Sequence, residues 1–479
     1  MSTIKRIAKN TTVLFVATIV ASILGILLSV YIARKVGDIN FGKYSFALAF
    51  TAFFAIFLDL GYSTLFIRNV ARNKSLANNY LNNLFGIRAL LSILVFIFVI
   101  IIINIMGYPA DTKNFVYLFF IYTILLFLSD LFKIVFRVFE RMEYEAFIQI
   151  ITTMIRVALG LLILFLGYGL LELALVFVFS EIVDLLFSFL ICEKRFIKSK
   201  TEFDFGFLKK TLRIALPLAM LSFFSLIFVR IDTIMLSIMK GDATVGWYNA
   251  AYNLTLGFKP IPFVFMTALF PLMAYYHMSS KKSLKMVYEK SFKYMLILGL
   301  PLAFGTAILS DKIIILFYGQ QFSNSIIALQ ILAWDVLLIF LYSPLGAILV
   351  SIDRQNEMAV ILLITAFINI VLNLFLIPHF SYVGSAVATI ITEVILLGMY
   401  AYFLSKYLHK IAFHKIIIKP IISVSIMCIF VYFCRSINLF LLVILAAVVY
   451  FLILYLIKGF SKEDIDLFKN IFKKQKEET

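Results

Sequence analysis

Gly37-Asp38-Ile39-Asn40-Phe41-Gly42-Lys43-Tyr44-Ser45-Phe46-Ala47 has a partner further down the chain, Gly241-Asp242-Ala243-Thr244-Val245-Gly246-Trp247-Tyr248-Asn249-Ala250-Ala251. Gly, Asp, Gly, Tyr and the last Ala recur at identical spacing. Each copy joins an outgoing apolar run to a returning one, and about six such runs separate the copies. An even number preserves direction, so the pattern implies two parallel six-helix halves related by an axis along the membrane normal. A second correspondence agrees: Arg141 is followed about 40 residues later by Glu181, and Arg354 at nearly the same interval by Glu393, each Glu in the sixth run of its half. Two such halves are expected to alternate access by rocking.

The runs between these landmarks place the chain in a membrane. Of its 479 residues 63% are hydrophobic and 14% charged, against about 45–50% and 25% in soluble domains. That apolar surplus excludes soluble enzymes, nucleic-acid-binding modules and secreted disulfide scaffolds. The formal charge of +17 therefore reads as loop charge that fixes orientation against an anionic leaflet, not as a nucleic-acid footprint. Cys192, Cys428 and Cys434 lack metal-ligand spacing, and His277, His379, His409 and His414 fall between the apolar runs, so no metal site or cofactor is expected. The stretch after Lys5, Arg6 and Lys9 reads as a retained first span.

About fourteen spans are expected, near 12–33, 44–66, 83–107, 115–135, 146–166, 170–193, 213–238, 247–273, 292–310, 326–350, 358–378, 383–405, 416–434 and 437–457. The runs are continuous, not alternating, so the fold class is an all-α integral membrane protein and not a β-barrel. The expected organisation is a six-helix lobe over 1–193, a basic linker over 194–212, a second six-helix lobe over 213–405, and two extra helices with a tail over 406–479. Loops on the N-terminal side carry about 30 Lys and Arg and those opposite about 7, which predicts both termini in the cytoplasm. The heaviest are the linker, with Lys194, Arg195, Lys198, Lys200, Lys209 and Lys210, the loop with Lys281, Lys282, Lys285 and Lys290, and the tail with Lys462, Lys469, Lys473, Lys474 and Lys476. Arg34, Lys35 and Lys43 dissent from this bias.

Charges inside spans are expensive, about 2.5–3.5 kcal/mol on insertion scales, and normally face an aqueous or protein interior. Arg156, Glu181, Lys259, Asp335 and Glu393 fall near span centres, with Arg230 and Asp232 nearer the far side and Asp59, Arg88, Asp130 and Lys133 toward the basic side. Arg156, Lys259, Arg230 and Arg88 are the candidate cavity cations. Glu181, Asp184, Asp232, Asp335, Glu393 and Asp59 are the candidates for coupling or charge pairing. Glu181 and Asp184 share a helix face, where pairing with Arg156 competes with proton carriage. Tyr248 and Tyr252 are weak candidates for sugar stacking. Pro260, Pro262 and Pro271 flank Lys259 in the eighth span and mark it as a bend.

Asp59-Leu60-Gly61 to Arg68, Phe136 to Ala146, Ala215-Leu216-Pro217 with Asp232 to Ser237, Gly246 to Tyr252, and Asn369 to Pro378 followed by Gly384 resemble the polysaccharide-transport (Wzx-like) family of lipid-linked oligosaccharide flippases. The resemblance spans about residues 5–457. It implies a fold similar to multidrug-and-toxin extrusion proteins and lipid II flippases, with two lobes in a V plus spans 13 and 14. It also implies transfer of an undecaprenyl- or dolichyl-linked sugar from the inner to the outer leaflet of the plasma membrane, with glycan-assembly enzymes as partners.

Rival readings are a cation-coupled multidrug exporter, a lipid II flippase, a membrane glycosyltransferase or polymerase, and a non-transporting scaffold. The enzyme reading needs catalytic residues on sizeable far-side loops, none of which exceeds about 15 residues, and the only Asp-x-Asp, Asp464 to Asp466, lies in the tail. No glycine-rich phosphate loop of Walker type is present, so the energy source is expected to be an ion gradient, the membrane potential or product consumption.

Overall fold

The computed structural model describes residues 3–197, 204–408 and 413–460. Lys198, Lys200, His409, Asp464, Asp466 and the tail lysines lie outside the described residues, as do the side chains of Lys5, Arg6, Lys9, Lys209, Lys210, Pro217 and His414. The described chain is all-helical. In order it forms α1 (Thr3–Asp59), α2 (Tyr62–Arg72), α3 (Ala77–Ile105), α4 (Ala110–Val138), α5 (Met142–Phe165), α6 (Leu170–Arg195), α7 (Phe205–Lys240), α8 (Asp242–Leu256), α9 (Pro260–Ser279), α10 (Lys281–Ile308), α11 (Ser310–Tyr318), α12 (Ser325–Ser351), α13 (Gln355–Tyr407), α14 (Phe413–Phe433) and α15 (Leu439–Leu456).

Eleven helical stretches among the described residues are long and apolar enough to cross a membrane. Two of them are double: α1 breaks at Gly37 (φ 81°) and α13 at Ser381 (φ 54°), three residues after Pro378. With α7 in the seventh place, the expected fourteen spans are present. On α3, Val95, Val99 and Ile103 are buried while Ile93, Ile97, Ile101 and Ile105 are exposed. The outer stripe has the same helical period as the inner one, so the helix is apolar all round and its second face meets lipid.

Two span boundaries differ from the sequence reading. The second span ends at Asp59, not near residue 66, because Leu60 (φ 46°) and Gly61 (φ 79°) turn the chain into α2. α2 is amphipathic, with Tyr62, Leu65, Phe66 and Val70 buried and Arg68 and Arg72 exposed, a composition that continues the apolar run without being transmembrane. The eighth span is α8 and α9 in series, separated by a turn at 257–259 where Pro260 begins α9. A proline at the first helical position loses no hydrogen bond, so the break falls where it costs least.

By contact the chain forms two compact units: Met1–Asn253 with Phe317–Phe322 and Leu362–Ser385, and Leu254–Leu316 with Ser323–Ile361 and Ala386–Thr479. In the second unit, α14 and α15 dock on α10 through Val424, Met427, Val431, Leu442 and Leu454 around Leu296, Ile297 and Leu300. There the Tyr450 hydroxyl donates to the Ile297 carbonyl at 2.9 Å.

The repeated motif packs against itself within the first unit. A Cβ on Gly42 would stand 1.8 Å from the Asp242 carbonyl oxygen, and one on Gly246 would stand 2.1 Å from the Asp38 carbonyl oxygen. The contact is reciprocal: the glycine of each copy receives the aspartate backbone of the other. Backbones this close admit no side chain, which is the reason for glycine at both places. The Trp247 indole N–H donates to the Asp38 carboxylate at 2.8 Å, and Lys43 pairs with Asp111 beside the crossing.

Candidate functional site

A cavity of about 600 Å3 lies inside the first unit, between α1, α4, α5 and α6. Its wall is written in three helical stripes. On α4 the stripe is Tyr122, Leu126, Asp130, Lys133 and Arg137; on α5 it is Glu145, Gln149, Thr152 and Arg156; on α6 it is Phe177, Glu181 and Asp184. Every step is three or four residues, so each set occupies one face. The first half of α1 supplies small and hydroxyl side chains, Thr18, Ala21, Ser22 and Gly25, and Tyr44 closes one end.

Three ion-pair sets cross the cavity, each tying different helices. The Arg156 guanidinium donates to Glu181 at 2.7 Å, to the Ser180 hydroxyl at 2.9 Å and to the Tyr122 hydroxyl at 3.3 Å. It also stacks over Tyr122 and Phe177, at 5.2 and 5.3 Å from the ring centroids. Lys133 pairs with Asp184 at 2.6 Å. Arg137 grips Glu145 with two nitrogens, at 2.9 and 2.6 Å, and reaches Asp130 at 3.1 Å. Carboxylates removed from water need such partners, and two-pronged arginine contacts are among the strongest available. The lining holds three basic side chains against four carboxylates, so its cations are already balanced from within.

Among the residues singled out from sequence, this cavity gathers Arg156, Glu181 and Asp184. Lys133, toward the basic end of its span, pairs with Asp184 and lines the same space. Arg88 stands apart: fully buried, it pairs with Asp59 and also donates to Ser63 and to the Phe127 carbonyl. Asp232 is buried and accepts from the Tyr248 hydroxyl at 2.8 Å and the Asn373 amide at 2.6 Å. Asp335, wholly buried, accepts from the Thr255 hydroxyl at 3.1 Å on one oxygen, and its other oxygen has no hydrogen-bond partner among the described residues. Glu393 is buried and Lys259 half-buried, both in the second unit; Arg230 is half-buried in the first and makes no ion pair among the described residues. Tyr248 and Tyr252 are buried and stacked on each other at 5.5 Å, which leaves neither ring free for a sugar.

Arg137, Glu145, Gln149 and Tyr122 were missed as site residues. The signal existed in the three- and four-residue stepping of polar residues along otherwise apolar α4 and α5, but Arg137 and Glu145 lie outside or at the end of the spans drawn by hydropathy. Among the described residues no group of three or more His, Cys, Asp and Glu is placed to hold a metal.

The comparisons with known proteins agree with this architecture. The family model described as "Polysaccharide biosynthesis protein" matches residues 7–277, and the MatE family model matches 217–375. The chain is 24% identical to the capsular polysaccharide biosynthesis protein CapF of Staphylococcus aureus, over 82% of this chain and 98% of that protein. It is 25% identical to the probable low-salt glycan biosynthesis flippase Agl15 of Haloferax volcanii, over 37% of this chain and 38% of that one. Among solved structures, the lipid II flippase MurJ in an inward closed conformation superposes with a TM-score of 0.77 at 17% identity, covering 93% of this chain and 98% of that one.

Proposed function

The chain belongs to the polysaccharide biosynthesis protein family, and from that premise we propose that it is a flippase moving a polyprenyl-linked oligosaccharide from the inner to the outer leaflet. The flippase and capsular polysaccharide names of its relatives support this substrate class. The proposal places the protein in the plasma membrane with both termini in the cytoplasm, on the strength of the loop charge. It is a transporter and not an enzyme in this reading, cycling by alternating access between two six-helix lobes.

The observation that carries the proposal is the set of four ion pairs made by three cations inside a membrane-embedded cavity. A diphosphate-linked head must shed water to cross the low-dielectric interior, and guanidinium and ammonium groups offset that loss. Here the donors are occupied by Glu181, Asp184, Glu145 and Asp130. The head therefore enters by exchange, taking Arg156, Lys133 and Arg137 from their carboxylates. The displaced carboxylates, left without counter-charges, then require protons or cations, which links passage of the anion to a cation supply. Asp232 accepts from the Tyr248 hydroxyl and the Asn373 amide and Asp335 from the Thr255 hydroxyl, and both are candidates for taking up a proton or cation. Glu393 and Lys259 join them as coupling and cavity candidates, and Arg230 and Arg88 remain candidates from the first unit.

The test is reconstitution in liposomes with a fluorescent polyprenyl-diphosphate oligosaccharide and, in parallel, drug efflux from a deletion strain. Glycan transfer without drug efflux supports the flippase. Drug efflux without glycan transfer assigns the chain to multidrug export. Orientation is tested by impermeant labelling of single cysteines at Ser279 and Gln320, both exposed, with opposite sidedness expected. Gln320 is preferred to the adjacent Gly319, whose φ of 88° would strain a cysteine.

A further inference from the structure

On the face that carries the basic loops, the end of α4, the start of α5 and the end of α6 enclose a recess of about 420 Å3 lined by Phe139, Arg141, Tyr144, Arg195 and Phe196. It is separate from the charged cavity and plays no part in the exchange described above. Its floor is aromatic: Phe196 lies 5.5 Å from Phe139, 5.4 Å from Phe136 and 5.8 Å from Tyr144. Its rim is cationic. The Arg195 guanidinium stacks over Tyr144 at 5.3 Å and donates to its hydroxyl, which fixes the fork in place. Arg141 is held by one contact to Glu143 at 3.2 Å, and Lys74 lies over Phe139 at 5.6 Å. Glu140, Glu143 and Glu193 are close in sequence, but none of the three lines the recess.

We propose that this recess binds the phosphate of a lipid head group. Two guanidinium groups above an aromatic floor, that of Arg195 fixed against Tyr144, match a phosphate ester, to which arginine donates in pairs. Two observations favour a lipid over a free solute. α2 lies beside the recess, since Phe139 and Phe196 pack on the cluster that buries its Tyr62, Leu65 and Phe66, and its exposed Arg68 and Arg72 mark the level of the membrane surface. About one turn deeper than the rim, α5 exposes Phe147 and α6 exposes Leu190, with Leu186 a further turn down, so an apolar wall for acyl chains begins where the head group would sit. The phosphate could come from a resident anionic phospholipid or from the diphosphate of the transported lipid, and the second source rests on the flippase reading.

The experiment uses the full-length protein in phosphatidylcholine vesicles with spin-labelled phosphatidylglycerol or spin-labelled phosphatidylcholine as probe. The immobilised fraction of each is measured. Wild type is expected to prefer phosphatidylglycerol, and each of Arg141→Gln and Arg195→Gln to lower that preference about fivefold, the double substitution more. Lys281→Gln with Lys282→Gln removes two exposed charges from the start of α10 and is expected to leave most of the preference intact. Unlabelled polyprenyl diphosphate separates the sources: displacement of the probe assigns the recess to the transported lipid, and retention assigns it to a phospholipid, independently of whether flipping occurs. An unchanged preference in both single variants, or an equal fall in the Lys281/Lys282 variant, overturns the site. The single variants carry the test if the double one fails to fold.

Discussion

In the first repeat Glu145, Glu181 and Asp184 each meet an arginine or lysine, whereas in the second repeat Asp232, which packs in the first unit, and Asp335 accept from hydroxyls and an amide. The two halves share a repeated motif and a repeated helix order, so the difference is one of chemistry on a common frame. Charge-paired carboxylates hold their cations and give them up only to a stronger anion. Asp335, wholly buried with one oxygen lacking a hydrogen bond among the described residues, keeps an acceptor that a proton or small cation can satisfy. A single duplicated architecture can thereby divide the handling of an anion and of a cation between its halves.

That contrast breaks most visibly at Arg156. Arg156→Ala leaves Glu181 buried beside an empty place, and loss of one partner from a buried pair costs about 3–5 kcal/mol. A fall in melting temperature in detergent of several degrees is expected, with export lost. The glycine crossing between the two motif copies comes next, because a methyl on Gly42 meets a backbone carbonyl that cannot rotate away. Gly42→Ala is expected to destabilise by about 1–3 kcal/mol and to impair export, whereas Gly398→Ala, with nothing within 4 Å of its Cβ, is expected to be silent in the same assays. In the second half, Asp232→Asn keeps an acceptor for Tyr248 but removes the charge. A stability change of only about 1 kcal/mol is expected, and a shift in the dependence of transport on sodium or pH would sharpen the division between halves. The smallest effect belongs to Lys43→Gln, whose partner Asp111 is half exposed. Denaturation should register about 0–1 kcal/mol.

Much of this was legible in the sequence, for identifiable reasons. Span number followed from hydropathy because lipid leaves the backbone no choice but helix. The repeat was visible because Gly42 and Gly246 each sit on a carbonyl of the other copy, a constraint that tolerates a single residue type. The charge network was visible only in part. Pairing of Arg156 with Glu181 was one of two readings left open, since a helix period places residues on a face but does not say which neighbouring helix that face meets. Arg137 and Glu145 escape notice because hydropathy windows stop at charges, so polar residues at the ends of helices fall outside the spans. The end of the second span at Asp59 was hidden because α2 continues the apolar run, and only the backbone at Leu60 and Gly61 reveals the turn.

The central claim is that Arg156 and Glu181 form an exchangeable pair that handles the anionic head, and not merely a structural tie. It is tested most directly by Arg156→Gln with Glu181→Gln, which removes both charges and leaves no unpaired ion. Flipping of the fluorescent polyprenyl-diphosphate oligosaccharide in liposomes is measured beside the melting temperature. The account predicts a protein within about 1 kcal/mol of wild-type stability that no longer flips. A folded double variant that flips at the wild-type rate would contradict it.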